Sequence, residues 1–177
     1  MHSVHFYESH DCLLDRLCGV VYSGLLMGNS ILIVCTDQHR TQLLQTMKRF
    51  DVDVRAYARE GRFTMCDAAE MLSMFLVDGV PDAKLFMSSV GRLLENAKKA
   101  AKNKDHLLTV FGEMVAILWE QGNRAGALAL EKLWNDAMNE EAFHLHCAYP
   151  RWLFGQESSE MQDICDVHSH ILGLTAA

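Results

Sequence analysis

"GNSILIVCTD", residues 28–37, sets the uncharged run "SILIVC" between a Gly-Asn break and a Thr-Asp pair. A strand with one face in water alternates apolar and polar side chains. This one does not, which is the pattern of a central parallel strand covered on both faces. Parallel neighbours require crossover connections, usually helices. The flanking sequence supplies them. Upstream, "SVHFY" (3–7) predicts a first strand; after Asp11, an expected N-cap, Leu14, Leu17, Cys18, Val21 and Leu25 recur at helical spacing up to Gly28. Downstream, Asp37 is expected to cap a helix with Leu43, Leu44, Met47 and Phe50 inward, and "RFTMC" (62–66) to form a third strand entered through Gly61.

The alternation continues to the end of the chain. Asp67 and Glu70 stand at N-cap and N3 of a helix whose apolar face is Ala68, Met71, Leu72, Phe75 and Leu76, the spacing of a capping box. "DGVPDA" (78–83) breaks that helix, and Phe86, Val90, Leu93, Leu94, Ala97 and Ala101 build the next, which finishes in "KKAAKNK" (98–104), cations suited to its negative end. "HLLTVF" (106–111) predicts a fourth strand, Glu113 to Gln121 a short helix stopped at Gly122, and Leu130, Leu133, Trp134, Ala137 and Met138 the inner face of a longer one. "FHLHCAY" (143–149) predicts a fifth strand ending at Pro150, and Ser159 with Gln162 a capping box for the last helix. The fold class is α/β, a three-layer sandwich around a mostly parallel central sheet. One domain over 1–177 is the expectation for a chain of this length with two prolines and no linker-like stretch.

Net charge of −7 leaves no broad basic surface to neutralise phosphates, so nucleic acid is not expected as a direct partner. Charged residues interrupt every apolar segment before the roughly 18 residues a membrane span requires. The start, "MHSVHFYESHD", lacks the basic opening and apolar centre of a secretory signal, which places the protein in the cytoplasm. Cys12, Cys18, Cys35, Cys66, Cys147 and Cys165 form no CxxC pair and read as reduced core thiols. There is no G-x-x-x-x-G-K-[ST], G-x-G-x-x-G or G-x-S-x-G, so the sequence warrants neither a nucleotide phosphate cradle nor a hydrolase elbow.

In such a fold ligands sit at the carboxyl ends of the strands. That edge would collect Tyr7, Glu8, Ser9 and His10, then Thr36 and Asp37, Asp67, Gly112 and Glu113, and Tyr149. The set could hold a small molecule or a cation, and it lacks the Lys or Arg that would receive a phosphate. Glu113 has two accounts: a first-turn carboxylate complementing the helix dipole by about 0.3–1 kcal/mol, or a group facing the cleft, with Gly112 letting backbone approach a ligand. His144 and His146 alternate on one strand face while Cys165 and His168 fall at i and i+3 of the last helix; such donors could gather around zinc. Core histidines satisfied by carbonyls are the simpler reading, so no metal or other cofactor is assigned. Trp119, Trp134, Trp152 and the ten methionines sit mostly at helical core spacing.

The segments "HFYES", "GNSILIVCTDQHRTQL", "GRFTMCDAAEMLSMFLVDGVPD", "FGEMVAILWEQGNRAGALALEKLWND" and "CAYP" occur in the order found in the methanogen/methylotroph DcmR-type sensory (MEDS) domain, which this chain resembles from about residue 2 to 172. The matching positions are Phe6, Tyr7, Glu8, Ser9, Asp67, Glu70, Asp78, Phe111, Gly112, Glu113, Trp119, Tyr149 and Pro150. The resemblance implies a derived RecA/KaiC-like core whose nucleotide-binding loop is lost, used to sense small apolar or hydrocarbon-derived molecules, and it adds Trp119 to the expected ligand-binding residues. It carries over no catalytic residue. Relatives often join this domain to a helix-turn-helix or a histidine kinase, so output is expected to pass to a separate signalling protein such as a kinase or transcription regulator; a homodimer fits equally. The alternatives are a degenerate nucleotide-binding or transferase enzyme using Glu8, Asp67 and Glu113, or a metal- or haem-binding sensor using His and Cys.

Overall fold

A computed structural model describes residues 1–102, 107–155 and 159–173. Its elements run β1 (His2–Tyr7), α1 (His10–Leu26), β2 (Ser30–Cys35), α2 (Asp37–Arg49), α3 (Val54–Arg59), β3 (Phe63–Asp67) and α4 (Ala68–Ser73). A hairpin of β4 (Leu76–Val77) and β5 (Val80–Pro81) follows, then α5 (Ala83–Phe86), continued through one π turn (Met87–Gly91) into α6 (Arg92–Lys99). The second half comprises β6 (Leu108–Gly112), α7 (Met114–Glu120), α8 (Arg124–Glu140), β7 (His144–Pro150), a 3-10 turn (Arg151–Leu153), α9 (Ser159–Asp166) and β8 (His170–Leu172).

Every residue of β2 is buried, as its unalternating sequence requires. It lies inside a six-stranded, wholly parallel sheet of order β3-β2-β6-β7-β1-β8. Successive side chains point to opposite faces. Leu32 and Val34 therefore join Val110, Cys147 and Tyr149 beneath α4 to α9, whereas Ile31, Ile33 and Cys35 pack under α1 and α2. Each such aliphatic side chain stabilises the sheet by about 1.5–3 kcal/mol when fully buried. The result is the expected α/β three-layer sandwich, consistent with a RecA/KaiC-like fold. Registers Cys35↔Asp67, Val34↔Gly112 and Tyr7↔Pro150 bring the strand ends to one edge of the sheet.

Several local expectations are corrected. Ser9 rather than Asp11 caps α1, its hydroxyl accepting from the Cys12 N–H at 3.2 Å. Thr36 rather than Asp37 caps α2. In both cases the residue leaving the strand keeps an extended backbone and turns its hydroxyl onto the first helical N–H groups, leaving the aspartate to complement the dipole. Asp78 and Gly79 do more than break a helix: both take positive φ (49° and 80°), the requirement of a two-residue hairpin turn. β8 and α3 are too short to announce themselves by periodicity. The expected fourth strand began at His106, which lies outside the described residues, as do Asn103 and Lys104 of the lysine-rich segment. Gln162 donates to Asp166 at 2.6 Å instead of forming a box with Ser159. Cys12 is exposed, not core. Among the described residues no helix is long and apolar enough to cross a membrane.

Candidate functional site

Glu113 ends the β6 strand edge and serves as the N-cap position of α7, yet its side chain makes no cap bond. It turns instead toward β2 and α2. The backbone N–H of Glu113 donates to the Val34 carbonyl at 2.9 Å, which fixes the residue against β2. Its carboxylate then accepts from the Thr36 N–H at 2.8 Å and meets His39 Nδ1 at 2.5 Å. Glu113 and His39 are 2% and 3% exposed. The imidazole continues outward, with His39 Nε2 2.7 Å from His10 Nδ1. Three elements thus contribute: α1 supplies His10, α2 His39 and the β6–α7 junction Glu113.

Proton roles follow from the chemistry of the ends. An ionised carboxylate only accepts, so His39 Nδ1 carries the proton it offers to Glu113. In neutral His39 the Nε2 lone pair accepts from His10 Nδ1–H, and His10 Nε2 presents a lone pair to whatever adjoins it. A proton placed on His39 Nε2 reverses the His39–His10 bond and one placed on His10 Nε2 leaves it as it is; in either case the outward nitrogen becomes a donor. The chain of hydrogen bonds links a buried carboxylate to a half-buried ring.

An aromatic cover lies over this end. Trp152 packs edge-on against Tyr7 at 5.4 Å and against His10 at 5.3 Å between ring centroids. Trp152 was expected in the core and is 53% exposed, because the 3-10 turn after Pro150 directs it outward. Burial and then the Glu113 charge raise the Tyr7 hydroxyl, keeping it a phenol; the same causes raise Cys35, which stays a thiol and a poor nucleophile. Gly112 is buried, yet a methyl group built on it would meet nothing within 4 Å beyond its own chain neighbours. Space therefore exists at the strand end beside Glu113.

The expected site residues divide. Tyr7, His10, Thr36, Gly112 and Glu113 gather at one place. Ser9 and Asp67 serve as helix caps, Asp67 accepting from the Glu70 N–H at 2.9 Å, and Glu8 is exposed. Trp119 and Tyr149 point to the opposite sheet face, with ring centroids 6.0 Å apart and the Arg124 guanidinium 4.6 Å from the Trp119 ring. Glu8, Asp67 and Glu113 do not converge: β1 and β3 stand four strand spacings apart, about 19 Å. His39, absent from the expected set, is the central member. Its signal was present, since His39, Leu43 and Met47 recur every fourth residue on the buried stripe of α2. The zinc grouping that His144, His146, Cys165 and His168 could have formed, not assigned from the sequence, is not assembled. His146 lies on the α1 face, 2.6 Å from the Ser3 hydroxyl, while His168 lies past the end of α9 and meets His2, Glu131 and Cys147 in the other layer.

A groove of about 950 Å3 runs along α2, α3 and the edge strand β3. Its lining includes none of the Glu113 group, and Leu44, Gln45 and Lys48 there are ordinary exposed helix surface.

A parallel sheet covered by helices on both faces, with a polar cluster at its strand ends, defines a doubly wound α/β protein, an architecture consistent with a RecA/KaiC-like fold. The chain belongs to the MEDS family, the methanogen/methylotroph DcmR sensory domain, whose profile matches residues 1–169. The family supports a sensory role. The chain is also similar to a UPF0273 protein of Pyrococcus furiosus, 30% identical over 88 residues, which span 45% of this chain and 36% of that relative.

Proposed function

We propose that the protein is a receptor domain whose ligand, a small and largely apolar hydrocarbon derivative, binds at the strand-end edge against Tyr7, His10 and Trp152. The observation that carries this reading is the buried Glu113–His39–His10 chain ending beneath an exposed tryptophan. The aromatic rings supply apolar area, the outward nitrogen of His10 supplies one polar handle, and the space beside Gly112 admits the ligand. Cationic side chains suited to a phosphate are not part of this group; Arg40, next to His39 on α2, pairs with Asp37. A ligand that accepts from His10 favours the protonated chain and one that donates favours the neutral chain, so binding biases a two-state element at α1–α2. A tenfold preference for one state shifts the equilibrium by about 1.4 kcal/mol. Output passes to a separate signalling protein that reads that layer.

Calorimetric titration with short-chain, methylated and halogenated hydrocarbon derivatives, followed in parallel by tryptophan fluorescence, tests the proposal. We expect heat and a fluorescence change that disappears in Trp152→Phe. Silence across the panel overturns it. The enzyme reading draws on the carboxylate–imidazole pair, which is also the geometry of a general base and its orienting group. Nucleotide- or magnesium-dependent thermal stabilisation would favour that reading over the receptor.

A further inference from the structure

A second cluster lies sealed on the other side of the sheet. Glu131 projects from the middle of α8 with no exposure at all, and His2 from β1, Cys147 from β7 and His168 after α9 converge on it. His2 Nε2 stands 3.3 Å from Glu131 Oε2 and 3.4 Å from Cys147 Sγ; the thiol is 3.2 Å from Glu131 Oε2; His168 Nε2 is 3.5 Å from Glu131 Oε1. All four donor atoms lie within 4.8 Å of one another. Bonds of about 2.0–2.3 Å to a tetrahedral ion set donor–donor edges of about 3.3–3.7 Å, and the spacings among His2 Nε2, Glu131 Oε2 and Cys147 Sγ, 3.2–3.4 Å, match them.

The surroundings fix which nitrogens point inward. His168 Nδ1 lies 2.7 Å from the Ile164 carbonyl, which can only accept, so Nδ1 carries a proton and Nε2 is the ring nitrogen turned inward for an ion to take. His2 Nδ1 lies 2.9 Å from Asn135 Oδ1, and the Asn135 amide is oriented by its Nδ2 donating to the Val167 carbonyl at 3.1 Å. His2 therefore also turns its Nε2 inward. These outer bonds to ring nitrogens are the ones that orient metal-binding histidines. His168 Nε2 has no hydrogen-bond partner, although its side chain is completely buried. Two neutral imidazoles, one carboxylate and one thiolate around a divalent cation sum to zero charge, the state least costly to bury. Tyr149 donates to Glu131 Oε1 at 2.9 Å, leaving Oε2 for an ion.

We propose that His2, Glu131, Cys147 and His168 form a closed four-ligand site for a divalent transition-metal ion, zinc first among them. The donor set of nitrogen, sulfur and oxygen suits zinc, and four protein ligands leave no position for a substrate. Its role is structural: it clasps β1, α8, β7 and the segment after α9.

The test uses the full chain without a polyhistidine tag. Chelator-stripped protein titrated with cobalt is expected to bind about one equivalent, with the visible bands of a tetrahedral ion and a near-ultraviolet thiolate-to-cobalt band. Zinc should displace the cobalt and raise the melting temperature. Cys147→Ser should lose the thiolate band, and His168→Gln, which keeps the thiol, should weaken cobalt binding by about tenfold or more. Should Cys147→Ser not fold, the affinity of His168→Gln decides. Stripped protein that gives no cobalt bands and no thermal response to excess zinc overturns the site, as does cobalt binding that both substitutions leave unchanged.

Discussion

Glu113 and Glu131 are both buried carboxylates, Glu113 joined to two imidazoles in series and Glu131 flanked by two, and they lie on opposite faces of one sheet. Their settings differ in a way that assigns their work. Glu113 stands at the carboxyl edge, its partners come from adjoining helix starts, and its chain of hydrogen bonds leads outward to a half-buried ring and an exposed tryptophan. Glu131 sits in mid-helix, fully enclosed, with partners drawn from three other segments. Burial opposes its ionisation, yet the nearby imidazoles, His168 before His2, hold its carboxyl far below the ordinary carboxylate range. The open centre can exchange protons and contacts with a visitor. The closed one can only hold the protein together.

The contrast is most exposed to refutation at Glu131. Glu131→Ala strands two imidazoles, a thiol and the Tyr149 hydroxyl, and should cost about 3–5 kcal/mol in urea denaturation; a loss below about 1 kcal/mol would erase the distinction. Glu113→Gln keeps the shape but weakens the bonds to Thr36 and His39. About 1.5–3 kcal/mol of stability should go, together with the ligand response measured by calorimetry.

His5, outside both centres, provides a control. Burial, and then the Arg16 charge, lower its pKa from 6.5 to about 4, so the unfolded chain binds its proton first. The stability contributed by the neutral ring is present above pH of about 6.5 and is lost as pH falls toward 4. His5→Gln should flatten that slope between pH 7 and 5 in urea titrations while leaving cobalt binding intact. The smallest effects belong to the outer edge of the open centre. Gly112→Ala, which meets nothing, and Trp152→Phe, at an exposed position, should each change stability by less than about 0.5 kcal/mol. Both should nonetheless weaken ligand binding, and unaltered affinity in the pair would detach the visitor from this edge.

The sheet was legible because its strands carry their own evidence: "SILIVC" cannot sit with one face in water, and β2 forms over those very residues. Half of the open centre was legible for a similar reason, since strand-end residues such as Tyr7, Gly112 and Glu113 follow from strand assignment alone. His39 and Glu131 were hidden by occupying positions where the helical pattern calls for apolar side chains. Glu131 shares its buried stripe with Ala127, Leu130 and Trp134, so a lone acid there was the available clue. Its partners were not legible at all. His2 and His168 stand near opposite ends of the sequence, and no local periodicity reports that β1 inserts between β7 and β8. Trp119 and Tyr149 were placed correctly along the chain, but strand and helix facing sent them to the other layer.

That insertion bears on how the chain is made. β1 finds both of its sheet neighbours only after β7 and β8 have been synthesised, so its backbone edges stay unpaired while the residues between them are made. Contacts of such long sequence separation form slowly. Until they close, β1 is the place where a chaperone would be needed.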